Sequence, residues 1–356
     1  RVVTMARTQH SLLPSHPFSR QYWYVAAWPH ELTAQQPLAR TILGDDLVLF
    51  RTPEGQAVAM EDRCAHRLAP LSKGRIEAGG IRCMYHGVKF DTQGRCLEVP
   101  AQTSAHPTMC VKHYPLVEQD GFVWVWMGPS EQADPTQVLR APWEHNPKWA
   151  PSRGYLHVNA HMSLMADNLL DFGHLPFVHL NTVGSAQQAA FSTQVTPKPK
   201  GLQTDRWYIN VTPSPFHQSV GGFTGNVDAW HCFEWHLPAV MSLDSGSAPT
   251  GTGAPEAPHG ERPGAVEFHH IAALTPQDDD HTHYFWVHWR NFALHDPGMT
   301  DTVYRNIMAA FAEDQAMVEA QHKAIRRGSQ TRPMAIEADK ALTMLRSQLA
   351  KASRVS

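Results

Sequence analysis

Long hydrophobic runs are missing from this chain of 356 residues, in which the longest apolar stretch covers only residues 122–127. A membrane-spanning helix needs about 20 apolar residues, so we expect none here. Residues 1–20 lack the apolar segment of a signal peptide, and because the sequence begins at Arg1, Met5 is the expected natural start. An excess of positive charge is also missing, since the net charge is −3. These absences argue against nucleic acid and membranes as partners.

Cysteine is scarce as well. Five cysteines in a chain of this length form no disulfide framework, so a reducing cytoplasm is the predicted location. The glycine pattern G-x-G-x-x-G is absent, and with it the usual mark of a dinucleotide site. Cys96, Cys110 and Cys232 have no partner at ligand spacing and are predicted to be ordinary thiols.

The order of sequence patterns predicts two domains, over residues 20–150 and 151–356. Short runs of β-branched and aromatic residues, separated by turn residues, fill the first and are typical of an antiparallel sandwich or small barrel. The second begins with a helical pattern over residues 161–178 and continues with several strands. It ends with amphipathic helices over residues 301–321 and 336–351.

One stretch of the second domain, residues 245–264, is dense in Gly, Pro, Ser and Thr and is predicted to be a long loop. Two interpretations remain open, a solvated excursion and a lid over a pocket.

The first metal-binding pattern lies in the β-rich domain, where Cys64-Ala-His66 is followed by Cys83-Met-Tyr-His86. Each half offers one thiolate and one imidazole. A zinc ribbon normally uses paired cysteines, whereas two cysteines on one iron and two histidines on the other form a Rieske [2Fe–2S] cluster. The pattern therefore predicts this cluster, with a structural zinc site as the alternative.

The second pattern lies in the helical segment, where His174 and His179 stand on either side of Pro176, which should bend or end the helix. Two imidazoles and one carboxylate on one face of an iron leave positions open for O₂. The carboxylate must come from elsewhere. Asp314, at helical spacing from apolar residues of the C-terminal helix, should point inward, but its neighbour Glu313 competes on spacing alone.

Together, CxH…CxxH followed by Dx₃Dx₂Hx₄H resembles the Rieske non-haem iron oxygenases, terminal oxygenase component. Residues 22–27 and 311–314 look like the vanillate and dicamba O-demethylase branch, and residues 167–174 and 245–256 resemble toluenesulfonate methyl-monooxygenase. The likeness covers nearly the whole chain. It implies an α+β fold, in which an N-terminal all-β Rieske domain precedes a helix-grip catalytic domain with a curved antiparallel sheet and C-terminal helices.

The resemblance also assigns residues. It implies that Asp314, rather than Glu313, joins His174 and His179 on a mononuclear Fe(II), and that the chain forms a head-to-tail homotrimer. The remaining assignments implied are Asp171, which links His86 to His174 for electron transfer, and Asn168, which lies near the iron without binding it firmly. His161 stands where a tyrosine or similar residue is expected in close relatives, so the resemblance does not define the pocket wall there.

The activity implied is that of a monooxygenase that uses O₂ and electrons from a separate flavin and iron–sulfur reductase. It would hydroxylate an aryl methyl or methoxy group of a small aromatic acid, yielding a benzyl alcohol or an O-demethylated product. Alternatives are ring cis-dihydroxylation, a Rieske electron carrier and a zinc-stabilised ligand-binding protein. Strand alternation places Phe268, His270, Ala272 and Leu274 on one face, from which His270 could bind a carboxylate or sulfonate, unless it is merely a sheet-surface histidine.

Overall fold

The computed structural model describes residues 12–105, 107–253 and 262–355. Three small antiparallel sheets form the N-terminal part, with strand orders β1-β11-β10, β2-β3-β4-β9 and β5-β6-β7-β8. The strands are β1 (Trp23–Ala27), β2 (Leu38–Ile42), β3 (Asp45–Arg51), β4 (Ala57–Glu61), β5 (Arg75–Glu77), β6 (Gly80–Arg82), β7 (Lys89–Asp91), β8 (Cys96–Glu98), β9 (His113–Tyr114), β10 (Leu116–Gln119) and β11 (Phe122–Trp126).

The C-terminal part is built on one seven-stranded antiparallel sheet, with the order β12-β18-β17-β16-β15-β14-β13. Long strands rich in aromatic residues allow one face of this sheet to be covered by helices. The strands are β12 (Ala150–Val158), β13 (Gln194–Lys198), β14 (Gly201–Val211), β15 (Val227–His236), β16 (Val240–Pro249), β17 (Val266–Pro276) and β18 (Thr282–Arg290).

In the part of the chain that the structure describes, five α-helices accompany the large sheet, and α1, α3 and α4 contact β17, each other or β12. The N-terminus of α4 is capped by Asp296, whose side chain accepts a hydrogen bond from the Gly298 amide. The helices are α1 (Met162–Leu170), α2 (Leu175–Val178), α3 (Pro215–Gly221), α4 (Pro297–Arg327) and α5 (Lys340–Val355). None of the helices in the described ranges has the length and apolarity needed to cross a membrane.

The two parts share one apolar core, in which Tyr24 and Val125 of the small sheets cluster with Leu274 and Tyr284 of the large sheet. Polar contacts reinforce this junction. The Thr275 hydroxyl donates to the carbonyl oxygen of Val25 at 2.6 Å. Burial of both apolar and hydrogen-bonded groups across the junction stabilises the relative position of the two parts.

The predicted fold class is confirmed, since an all-β N-terminal part precedes an antiparallel sheet with C-terminal helices. The predicted domain boundary between residues 150 and 151 stays a prediction. The helix predicted over residues 161–178 is interrupted after Leu170 by a turn and one 3₁₀ segment, and α2 then begins with Pro176 in its first turn. Proline suits that position because it needs no amide partner there.

The prediction of a loop over residues 245–264 is wrong in its first part, because residues 245–249 belong to β16. Glycine at position 246 has a packing reason: a Cβ there would lie 2.5 Å from the Trp230 ring. Small residues therefore let a bulky ring lie against the strand, and composition alone suggested a loop. Residues 254–261, which belong to the same predicted loop, lie outside the described residues.

Candidate metal centres and the adjoining cavity

The two loops that carry the cysteine and histidine pairs have the same backbone form. One follows β4 and the other joins β6 to β7. In each loop the carbonyl oxygen of the cysteine accepts a hydrogen bond from the amide four residues later, at Leu68 and at Gly87. Those two residues have positive φ angles of 59° and 77°. Each cysteine amide in turn donates to the carbonyl oxygen five residues later, so two matching turns present matching ligands.

The cysteine and histidine side chains at these turns differ in burial. Cys64 and Cys83 are buried free thiols, whereas His66 and His86 are exposed. The two imidazole rings lie edge to face with their centroids 4.7 Å apart. Burial raises the pKa of the Cys64 thiol, which a bound metal would reverse. Two inner thiols and two outer imidazoles suit a Rieske cluster, whose histidine-bound iron would lie at the surface.

Three side chains predicted to bind the mononuclear iron converge in the second part. His179 Nε2 lies 3.1 Å from His174 Nε2 and 3.0 Å from Asp314 Oδ1. The third distance, between His174 Nε2 and Asp314 Oδ1, is 3.3 Å. Metal bonds of about 2.1 Å at right angles place neighbouring donor atoms about 3.0 Å apart. The measured distances therefore fit three ligands on one face of an octahedral ion.

Electrostatics at this group favour a bound cation. Burial would raise the pKa of Asp314, but hydrogen bonds and charge from His174 and His179 lower it to about 2. Burial would lower the pKa of His179, yet the Asp314 and Glu313 carboxylates outweigh it and raise that pKa. Asp314 is thus an ionised carboxylate in a buried position, for which a cation is the natural partner.

Glu313 points to the other side of the histidine ring. Its Oε2 lies 2.7 Å from His179 Nδ1 and accepts a hydrogen bond from the Thr182 hydroxyl at 2.8 Å. Among the described residues, the group that could hold a metal contains Asp314 and not Glu313. This geometry favours Asp314 as the ligand, an assignment that stays a prediction. It places Glu313 where carboxylates commonly orient metal-bound histidines.

Asn168 and Asp171 lie beside this group in different ways. The Asn168 amide donates to Asp314 Oδ1 at 2.8 Å, which ties α1 to α4 at the metal group. Asp171 touches His174 through its backbone carbonyl oxygen, which contacts His174 Nδ1. Its carboxylate instead accepts from the Gly173 amide at 2.8 Å. The contact between Asp171 and His174 is thus made by the backbone carbonyl oxygen and not by the carboxylate.

An apolar cavity opens beside the metal group, between α1, α3, α4 and the large sheet. Apolar lining residues include Leu169, Phe172, Phe216, Phe268, Ile307 and Phe311. Four further histidines, His217, His231, His270 and His288, line it too, together with Ser245. Burial lowers the pKa of His217 to about 4 and those of His231 and His270 to about 3, and lowers that of His288 strongly. The cavity thus combines aromatic walls with neutral imidazoles.

Two predictions about this wall can be compared with the structure. His270 does line the cavity, as strand alternation suggested, and the same face carries Phe268. His161 does not line it. Its Nδ1 accepts from the Ser163 amide at 3.1 Å and so caps α1, and its ring stacks on Phe18. That side chain therefore serves the helix end rather than the wall of this cavity.

Three cavity histidines were missed from the sequence. His288 belongs to the neighbouring strand β18, where it lies opposite His270 of β17 in the strand register. His217 is on α3 and His231 on β15. Strand alternation could have placed His288 on the same face as Trp286 and Arg290, but only strand pairing brings it to His270.

Comparison with known proteins agrees with this geometry. The model of the Rieske [2Fe-2S] domain matches residues 22–115, and that of the vanillate O-demethylase oxygenase C-terminal domain matches residues 158–354. The toluene-4-sulfonate monooxygenase system iron-sulfur subunit of Comamonas testosteroni is 42% identical over 310 residues, which cover 86% of this chain and 88% of that protein. The vanillate O-demethylase oxygenase subunit of a Pseudomonas strain is 35% identical over 316 residues and covers 86% of each chain.

Solved structures give the same result. Dicamba monooxygenase bound to dicamba superposes with a TM-score of 0.86 at 31% identity, covering 95% of this chain and 98% of that one. Another crystal structure of that enzyme contains non-heme iron and superposes with a TM-score of 0.79 at 29% identity.

These matches confirm the family predicted from the motifs and favour iron over the zinc alternative. They also exclude a simple Rieske electron carrier, because the catalytic domain is present. The protein is an enzyme with a [2Fe–2S] cluster and a non-haem iron, and O₂ is its co-substrate. The chain belongs to the Rieske non-haem iron oxygenases, in the family of the vanillate O-demethylase oxygenase subunits.

Proposed function

We propose that this chain is the terminal oxygenase of a multi-component monooxygenase that hydroxylates an aryl methyl or methoxy group of a small aromatic acid. The observation that carries the proposal is the position of His174, His179 and Asp314 at the end of an aromatic-walled cavity. An aryl ring fits such walls, since aromatic side chains favour stacked or edge-to-face contacts. Its substituent would then point to the three ligands.

The chemistry requires electrons from outside the chain. With a cluster on Cys64, His66, Cys83 and His86, bound iron at the second site would supply O₂ activation. The protein's own groups orient that site, since Glu313 fixes the His179 ring and the Asn168 amide fixes Asp314. A separate flavin and iron–sulfur reductase is the proposed electron donor, and a reducing cytoplasm is the proposed location, in keeping with five free thiols.

We assign the recognition of the acid group to His270. Its ring is 2% exposed and lines the cavity, and its Nδ1 has no hydrogen-bond partner among the described residues. A buried imidazole nitrogen without a partner costs about 1–3 kcal/mol. A carboxylate or sulfonate oxygen that accepts from it would relieve that cost, and a neutral hydrocarbon would not.

Assembly as a head-to-tail homotrimer is proposed for electron delivery. Large apolar side chains are exposed at both redox sites. Leu68, Met84 and Tyr85, which are 67%, 55% and 60% exposed, flank the cluster ligands, and Phe177 and Leu180, 75% and 47% exposed, flank the iron ligands. A head-to-tail ring would bury the first set of one subunit against the second set of the next. Asp171, half-buried beside the second set, would then meet His86 of the neighbouring subunit.

The test is a product assay with a reconstituted reductase across 4-methyl and 4-methoxy derivatives of benzoate and benzenesulfonate. We expect benzyl alcohol from the methyl acids, or phenol and formaldehyde from the methoxy acids, formed with matching O₂ uptake. A cis-dihydrodiol as the sole product would move the chain to ring dihydroxylation and overturn the proposal.

A further inference from the structure

Two of the cavity histidines form a close pair. His270 of β17 and His288 of β18 face each other in the strand register, with ring centroids 4.0 Å apart and an interplanar angle of 41°. They are 2% and 7% exposed. The Nδ1 atoms of both rings are buried without a hydrogen-bond partner in the described part of the chain. Two adjacent unpaired imidazole nitrogens in one cavity are unusual, because buried polar groups are nearly always paired.

The other two cavity histidines are paired, which makes the contrast informative. His217 Nδ1 lies 2.6 Å from the Ser247 hydroxyl oxygen, and His231 Nδ1 lies 3.1 Å from the Tyr208 hydroxyl oxygen. Cavity histidines on this sheet can therefore have hydrogen-bond partners within the chain. The missing partners of His270 and His288 point to a ligand that supplies acceptor atoms.

The surroundings of the two rings determine the protonation state that an entering ligand would meet. Burial lowers the pKa of His270 more than a backbone hydrogen bond at Val287 raises it. Burial and the neighbouring His270 and His217 rings lower the pKa of His288, so both imidazoles are neutral. Arg290, on the same strand as His288, donates to the carbonyl oxygens of Ala293 and Asp296. An oxyanion that entered would therefore meet neutral rings and would need a compensating positive charge. The titratable or charged groups around the pair are His217 of α3, His231 of β15, Tyr284 and Arg290 of β18, Asp314 of α4, and the iron ligands His174 and His179.

We propose that His288 joins His270 in holding the oxyanion of the substrate, and that the pair takes up one proton when the anion binds. This inference rests on the proposed function, and it concerns how that substrate is recognised. The anion makes the imidazolium favourable at one ring. The second ring stays neutral and donates one N–H, because two positive charges with ring centroids 4.0 Å apart would repel each other. The enzyme would thereby prefer an acid over a neutral ring of the same shape.

The inference is tested by binding alone, with the iron-loaded, oxidised protein kept anaerobic so that no turnover occurs. The probe is 4-methylbenzoate, and 4-methylbenzamide is its neutral counterpart. Calorimetry in two buffers of different ionisation enthalpy counts the protons taken up at pH 7.5. We expect about one proton for the benzoate, none for the amide, and a dissociation constant for the benzoate that rises about tenfold per pH unit above pH 7. Benzoate binding without proton uptake would overturn the inference.

Substitution of the two histidines tests whether this pair takes up the proton. The double change His270→Gln and His288→Gln keeps neutral donors but removes the ionisable rings. We expect proton uptake to disappear and benzoate affinity to fall at least tenfold, while amide affinity changes less than threefold. An equal loss for both ligands would indicate a purely structural role and would contradict the inference. Asp314→Ala provides the check on the metal: if benzoate binding vanishes there, the anion sits on the iron and not on the histidine pair.

Failure of this inference differs from failure of the proposed function. If benzoate binds with proton uptake but the reconstituted enzyme forms no methyl oxidation product, the recognition site stands and the assigned reaction is wrong. If the reaction occurs without proton uptake, the reaction stands and the role of His288 is wrong.

Discussion

Glu313 accepts the Nδ1 hydrogen of His179 at 2.7 Å, on the side of the ring opposite the atom that faces the iron site. Carboxylates in this position fix the ring and raise its basicity, and their loss typically lowers metal affinity or activity 10–100-fold. We expect Glu313→Gln, which keeps an acceptor, to lower turnover about tenfold, and Glu313→Ala to lower it further. Iron affinity of the reduced protein, measured by chelator competition, should fall in the same order.

The matched control is Glu319→Gln on the same helix, since Glu319 accepts from the Asn159 amide away from the metal group. It should leave iron affinity unchanged. Equal losses in the Glu319 and Glu313 variants would indicate a general effect on α4 and would contradict the orienting role.

Asp314→Ala should remove the mononuclear iron and keep the cluster. The purified wild-type protein is expected to hold about three irons and two acid-labile sulfides per chain. The variant should hold about two irons, with an unchanged cluster absorption and electron paramagnetic resonance spectrum. If instead Glu313→Ala loses the iron completely while Asp314→Ala keeps it, the ligand assignment is reversed.

Asp171→Asn should keep both metals and lose most turnover. The contacts that shape its segment come from the backbone carbonyl, to His174, and from a side-chain oxygen, to the Gly173 amide, and asparagine can supply both. The variant therefore changes charge more than structure. Metal analysis and single-turnover rates distinguish slow electron transfer from iron loss.

Electron transfer between subunits has its own test. His86→Ala lacks a working cluster and Asp314→Ala lacks the mononuclear iron, so each is inactive alone. Random mixing in a cyclic trimer leaves about one quarter of the interfaces with an intact donor facing an intact acceptor. Co-expressed chains should thus regain about one quarter of normal activity. Verified mixed trimers without activity would rule out the route through Asp171.

His283 should make stability depend on pH. Its Nε2 donates to the Thr41 carbonyl oxygen at 2.9 Å and its Nδ1 accepts from the Tyr155 hydroxyl at 2.8 Å. The second contact requires the neutral ring, because a protonated Nδ1 cannot accept. Burial lowers its pKa to about 4. The stabilisation is therefore present above the unfolded pKa of about 6.5 and is lost as the pH falls toward 4, by about 1.4 kcal/mol per pH unit.

Urea unfolding at pH 7.5 and pH 5.5 measures this dependence. His283→Gln should lower stability at pH 7.5 and flatten the pH dependence by about one proton, whereas exposed His295→Gln should change neither. An unchanged slope in His283→Gln would show that other groups govern acid unfolding.

Most of the proposed metal ligands could be predicted from the sequence because they lie close together along the chain. Cys64 and His66 are two residues apart, and His174 and His179 flank one proline, so the pattern can be recognised in the sequence alone. The choice between Glu313 and Asp314 was not, since adjacent residues on a helix differ by about 100° in direction and both could face inward. Only the position of His179 against α4 separates them.

The substrate cavity was less predictable. His217, His231 and His288 come from α3, β15 and β18, and their meeting depends on strand order and register across the sheet. The small residues of β16 led to a loop prediction because their role cannot be inferred from composition. They leave room for the Trp230 ring, which lies against them only after β15 and β16 have paired.

The central claim, insertion of one oxygen atom into a methyl C–H bond beside the iron, is tested most directly by isotope labelling. The reduced enzyme, reductase and 4-methylbenzenesulfonate or 4-methylbenzoate are mixed under ¹⁸O₂, and the product is analysed by mass spectrometry. We predict a benzyl alcohol that carries one labelled oxygen and is lost in Asp314→Ala. A ring dihydrodiol with two labelled oxygens, or an alcohol without label, would contradict the account.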